Sequence, residues 1–155
     1  MLKKMIVSTL VGLSLLAAPR MNIMSAADNP LQGAWQVTNP AGGSAMAGVF
    51  IFCGKHYSMM AASADRPDIT DLSKASADEM RALYGPMVGN AGVYEIAGNM
   101  VTIRPIVAKI PVVMKAGAYE VYEFKIENKT LTLTQRRNVR GPVERGAIWT
   151  LTRVE

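Results

Sequence analysis

Along most of this chain apolar and polar residues alternate one for one over short stretches, and turn-forming residues interrupt them every 8–12 residues or so. Alternation of period two sends one set of side chains to a buried face and the other to water, as in an antiparallel strand. Tyr119 to Glu127 shows it best: Tyr122, Phe124 and Ile126 share one face, and Glu123, Lys125 and Glu127 share the other. Asn128-Lys129 turns the chain into Thr130 to Gln135, where Leu131 and Leu133 alternate with threonines. Earlier strands are predicted from Trp35 to Thr38 and from Met46 to Phe52, with the turn residues Asn39-Pro40-Ala41-Gly42-Gly43 between them. Cys53-Gly54 turns the second into a third, Lys55 to Ala62. Val93 to Ile96 and Met100 to Ala108 flank the tight turn Ala97-Gly98-Asn99, and Ala147 to Val154 completes a set of eight.

The alternation breaks once, after Arg66-Pro67. Ser76 with Glu79 three residues later forms a capping box, and Met80, Leu83, Tyr84 and Met87 follow at helical spacing. One short amphipathic helix is therefore predicted from Ser76 to Tyr84. The glycine-rich run Gly85 to Gly92 follows that helix and lacks the Lys-Ser/Thr of a phosphate loop, so it reads as a flexible connection. Arg104-Pro105 interrupts an otherwise apolar strand. Proline donates no ladder hydrogen bond, which places an edge or a bulge at Pro105.

The amino end has a different character. Lys3 and Lys4 precede an apolar run from Met5 to Ala18, and Ser25-Ala26-Ala27 supplies small residues for cleavage, so residues 1–27 read as a signal peptide and 28–155 as the folded domain. The apolar run is shorter than the roughly 20 residues of a membrane span; an uncleaved anchor is the weaker alternative. Localisation is expected to be secreted or periplasmic, in a bacterial host, with no stable membrane insertion after cleavage. Removing Lys3, Lys4 and Arg20 with the leader takes Lys+Arg from 17 to 14 against 12 acidic residues, a net charge near +2. Nucleic acid and acidic lipid are not expected partners at that charge. Arg136, Arg137, Arg140 and Arg145 cluster around Asn138, Gly141 and Pro142, and read as a solvated loop. Cys53 is the sole cysteine, which excludes an intrachain disulfide, and it is expected to be a buried or half-buried spectator. One His and one Cys give no structural zinc set, and no metal or cofactor is expected.

Eight antiparallel strands with short connections and one helix predict an all-β fold, an eight-stranded up-and-down barrel, whose interior can hold one small ligand. Closing such a barrel brings the first and last strands together. Trp35, in Gly33-Ala34-Trp35, and Arg153 would then be neighbours, with the guanidinium stacked on the indole and donating to strand carbonyls. Leu31-Gln32-Gly33-Ala34-Trp35 resembles the G-x-W opening of lipocalins and other calycins, and Trp149-Thr150-Leu151-Thr152-Arg153 resembles their closing strand. Gly48, Tyr57 with Met59, Arg66-Pro67, Gly92-Val93-Tyr94 and Leu131-Thr132-Leu133 also resemble the bacterial lipocalin-like domain family. The resemblance spans Leu31 to Val154. It implies a lipocalin-like barrel in which Gly33, Trp35 and Arg153 are structural and close the base.

No G-x-S-x-G, H-E-x-x-H or C-x-x-C motif is present. No residue is assigned a catalytic role. The functional expectation is an exported protein that holds a small hydrophobic molecule inside the barrel. Its candidate ligand-binding residues are Phe50, Phe52, Tyr57, Met59, Tyr94, Arg104, Tyr122 and Phe124, aromatics and a methionine as apolar wall and Arg104 as an internal anchor for an acid. The alternatives are a barrel enzyme of isomerase or cyclase type, with Tyr57, His56, Tyr94 and Arg104 as its players, and a periplasmic inhibitor or interaction protein. Alternation sends His56 outward if Tyr57 and Met59 face in. Oligomeric state is left open.

Overall fold

Strand pairing in the computed structural model continues until the first strand meets the last. Residues 29–38 and 45–154 are described; the leader expected over 1–27 and the turn over 39–43 lie outside the described residues. The elements are β1 (Gly33–Val37), β2 (Met46–Cys53), β3 (His56–Ser63), α1 (Ala77–Tyr84), β4 (Met87–Ala97), β5 (Met100–Ala108), β6 (Glu120–Glu127), β7 (Thr130–Asn138), β8 (Gly141–Pro142) and β9 (Ile148–Arg153). The ladder runs β6-β5-β4-β3-β2-β1-β9-β7, and β6 also pairs with β7. Eight antiparallel strands thus close an up-and-down barrel, and β8 only extends β7. Closure leaves none of the eight with an unpaired edge.

Register sets the interior. Trp35, Phe50, Met59, Asn90 and Ala108 lie in one row across β1 to β5, and Phe52, Tyr57, Gly92 and Pro105 lie in the next. Leu31, Trp35, Phe50, Leu131 and Leu151 are completely buried, and Val101, Ile103, Tyr122 and Trp149 join them in the core. Three two-residue turns, beginning at Gly54, Gly98 and Asn128, close one end of the barrel, and each first residue takes a positive φ, of 59°, 60° and 56°.

The same end is sealed by the two termini of the barrel. Trp35 pairs with Arg153 in register, and the guanidinium carbon lies 4.1 Å from the indole centroid. Arg153 Nη1 donates to the Gln32 carbonyl at 2.6 Å and Nη2 to the Pro30 carbonyl at 2.8 Å, while Trp35 Nε1 donates to the Leu31 carbonyl at 2.7 Å. Gly33 bends the chain into this seal at φ 121°, where a side chain would be strained. Beside it, Phe52 and Tyr94 meet edge to face at 5.1 Å, and Asn29 Nδ2 donates to the Tyr94 hydroxyl.

Helix α1 buries no residue fully and is held at its ends. Ser76 Oγ accepts from the Glu79 amide at 3.2 Å while Glu79 Oε2 accepts from the Ser76 amide at 2.8 Å. At the other end Lys109 Nζ donates to the carbonyls of Tyr84, Gly85 and Met87, placing a cation where the helix dipole is negative.

Three expectations are corrected here. The glycine-rich segment is no flexible connection beyond Pro86: Met87 to Gly92 forms the first half of β4, paired with β3. Its small residues serve close approach, since a Cβ on Gly92 would lie 2.0 Å from the Arg104 carbonyl oxygen. Opposite it, Gly92 faces Pro105 and Ala91 faces Val107, so Ile106 is the extra residue of a bulge at the Arg104-Pro105 interruption. Cys53 is exposed at the end of β2, not buried. Arg136 and Arg137 lie within β7, not in a loop; Arg136 Nε donates to Glu123 at 2.8 Å, and Arg137 stacks 4.5 Å from the Tyr119 centroid.

Candidate functional site

Opposite the sealed base, the barrel contains a cavity of about 200 Å³. It is bounded by the start of β4 (Met87 to Asn90), the end of β5 with the turn that follows (Ala108, Lys109, Ile110, Val113), Glu120 and Tyr122 of β6, Gln135 of β7, and Ala147 and Trp149 near β9. Met59 of β3 completes the wall. Phe50 packs under this cavity, edge to face with Trp149 at 5.2 Å.

Polar groups gather within this largely apolar wall. Alternation along β6 places Glu120, Tyr122 and Phe124 on one face, so the barrel carries a carboxyl inward. Glu120 Oε2 accepts from the Tyr122 hydroxyl at 3.0 Å, and Gln135 Nε2 approaches that hydroxyl at 3.4 Å. Burial pushes the Glu120 carboxyl above its ordinary range, against the lowering effect of the Tyr122 hydrogen bond. The Tyr122 hydroxyl is pushed up by burial first, then by the charge of Glu120 and its hydrogen bond. Tyr57 is also raised, by burial and then by Glu120. Among the described residues the Tyr57 hydroxyl, Asn90 Oδ1 and Arg137 Nε are buried without a hydrogen-bond partner. Asn90 lines the cavity with Glu120, and Tyr57 is close enough to feel the Glu120 charge.

Of the eight sequence candidates, Met59 and Tyr122 line the cavity, and Phe50 and Tyr57 stand next to it. Phe52 and Tyr94 belong to the sealed base, and Phe124 packs against the core without lining the cavity. Arg104 is corrected: it stands on the outer face, 45% exposed, 3.8 Å from Glu95 and over Tyr119 at 5.2 Å. It cannot anchor an acid inside the barrel. His56 is exposed at the start of β3, paired with Cys53, and does not reach the cavity. Gly33, Trp35 and Arg153 lie in the base described above. Sequence reasoning missed Glu120, Asn90, Gln135 and Trp149. Glu120 was within reach, because stepping back by two from Tyr122 along the apolar face of β6 arrives at it.

A wider groove of about 570 Å³ shares Met59, Met87, Gly89, Asn90, Ala108 and Lys109 with the cavity and extends to Met60, Tyr84 and Val107. It contains no carboxylate, and its one cation, Lys109, is committed to three carbonyls. Among the described residues no three His, Cys, Asp or Glu gather to hold a metal, and no helix is long and apolar enough to cross a membrane. No family model, curated protein or solved structure matches this chain.

Proposed function

We propose that this is an exported small-molecule-binding protein, of lipocalin-like type, which holds a compact lipophilic ligand inside the barrel. The observation that supports this reading is the cavity of about 200 Å³ at the end of the barrel away from the Trp35–Arg153 seal. Ligand sites are concave and apolar with a few placed polar groups, and this cavity combines Met59, Met87, Val113 and Trp149 with Glu120, Gln135 and Asn90. Its modest size excludes long-chain lipids as fully enclosed ligands. The leader-like pattern over residues 1–27 supports export.

Native mass spectrometry of protein purified from the cells that make it, together with calorimetric titration of 2-phenylethanol as a small neutral probe, tests the reading. A saturable one-to-one complex is expected. Trp149→Phe should remove the fluorescence change that accompanies binding while the calorimetric signal persists, because Trp149 lines the cavity and Trp35 does not. A probe that never saturates, or a fluorescence change that survives Trp149→Phe, refutes interior binding.

A further inference from the structure

The hydrogen-bonding inventory of the cavity is unbalanced. Its acceptors include the Glu120 carboxyl and Asn90 Oδ1, and the Tyr57 hydroxyl, which can donate or accept, is close enough to feel the Glu120 charge. Asn90 Oδ1 and the Tyr57 hydroxyl are buried without partners among the described residues. Several of the donors that reach inward are committed. The Tyr122 hydroxyl donates to Glu120 at 3.0 Å, and Gln135 Nε2 is turned to Tyr122 at 3.4 Å. Lys109 is the one cation that lines the cavity, and its ammonium donates to the carbonyls of Tyr84, Gly85 and Met87. Its three protons are thereby used.

A cavity lined by one carboxylate and an unpaired amide oxygen suits a ligand that brings donors and positive charge. Resting on the interior-ligand reading above, we infer that the cavity selects a small lipophilic amine, whose ammonium group sits against Glu120, Asn90 and Tyr57. The aromatic surroundings suit the same ligand. Trp149 and Tyr122 line the cavity, and Phe50 packs on Trp149, so an ammonium there has aromatic neighbours as well as a carboxylate. A carboxylic acid would instead place a second anion beside Glu120, and the Lys109 ammonium has its protons engaged by three carbonyls.

The titratable, charged and polar groups around the ammonium position are Glu120 and Tyr122 from β6, Tyr57 from β3, Asn90 from β4 and Lys109 after β5, whose own ammonium is held by three carbonyls. Burial holds the Glu120 carboxyl above its usual range, so an arriving ammonium stabilises the ionised form and binding releases the proton that Glu120 retains at acidic pH. Amine affinity accordingly rises with pH through the range in which Glu120 ionises, until the amine itself loses its proton.

Calorimetric comparison of 2-phenylethylamine, 2-phenylethanol and 3-phenylpropionate on the purified protein tests the inference. The amine should bind at least ten-fold tighter than the alcohol, with the carboxylate weakest. Glu120→Gln, checked for folding by circular dichroism, should bring the amine-to-alcohol affinity ratio to within about two-fold of one. If that variant does not fold, Tyr57→Phe takes its place and should narrow the amine-to-alcohol affinity ratio three-fold or more. An alcohol that binds as tightly as the amine, or a preference that survives both substitutions, overturns the amine assignment and leaves interior binding standing. Binding by none of the three probes overturns both.

Discussion

Arg153→Ala separates the seal of the barrel from the rest of its core. The substitution removes two hydrogen bonds from a guanidinium, to the carbonyls of Gln32 at 2.6 Å and Pro30 at 2.8 Å, and a stack 4.1 Å from the Trp35 indole. A hydrogen bond from a charged donor contributes about 1.5–3 kcal/mol and a guanidinium over an indole about 0.5–2 kcal/mol. The groups share one side chain and are not additive, which pulls the expected loss toward the lower end, about 3–4 kcal/mol. A domain of this size is stable by about 5–15 kcal/mol, so the variant should still fold. Urea unfolding followed by far-ultraviolet circular dichroism, which does not depend on Trp35, measures the loss as a fall of about 2 M in midpoint. Arg153→Lys keeps the charge but cannot fork to two carbonyls, and should lose about half as much. A cycle with Trp35→Phe isolates the stack, with a coupling of about 0.5–2 kcal/mol. A loss below about 1 kcal/mol for Arg153→Ala would show that the seal contributes little. A fully stable Arg153→Lys would show that charge over the ring acts and the fork does not.

Tyr57 and Tyr122 are both held above the ordinary tyrosine value of 10.0 by burial. The native state keeps protons there that the unfolded chain gives up, so stability is complete below pH 10 and falls above it, at about 1.4 kcal/mol per pH unit for each group. Alkaline unfolding monitored against Tyr57→Phe, whose slope should be shallower, checks the sign. Gly92→Ala forces a Cβ to within 2.0 Å of the Arg104 carbonyl oxygen, and thermal denaturation should show a loss of about 1–3 kcal/mol. Arg104→Ala touches only an exposed ion pair at 3.8 Å and one ring contact, so stability should change by less than about 1 kcal/mol, with ligand affinity unchanged. A loss of ligand binding in that variant would contradict its outward placement.

Residues with strict alternation announced their faces. Leu131, Leu133 and Tyr122 are buried, as period two requires, and the Ser76–Glu79 pair starts α1 where a capping box should. Met87 to Gly92 was illegible because glycine and alanine carry no amphipathic signal, although their smallness is what lets β3 and β5 approach β4. Arg104 misled because an apolar neighbourhood in sequence does not fix a side chain's direction: Val101 and Ile103 face the core, so alternation turns Arg104 outward before the bulge at Ile106 is reached. Glu120 was overlooked because a carboxylate suggests a wet face, whereas its position relative to Tyr122 and Phe124 points it inward.

By itself the sequence determined the all-β class, the hairpin positions, the single capped helix and the apolar stripes that become the barrel's lining. These follow from local rules: side-chain alternation, positive-φ turn residues and reciprocal capping act within a few residues of chain. The tertiary structure decided what those stripes enclose. Only when β6 closes on β7 do Glu120 and Tyr122 meet Tyr57 of β3 and Asn90 of β4 inside one barrel, through pairings between residues far apart in the chain. The base also joins distant residues, Trp35 with Arg153, but their pairing follows from closing the barrel's first and last strands, whereas a cavity is what remains where side chains from many strands fail to fill the space between them.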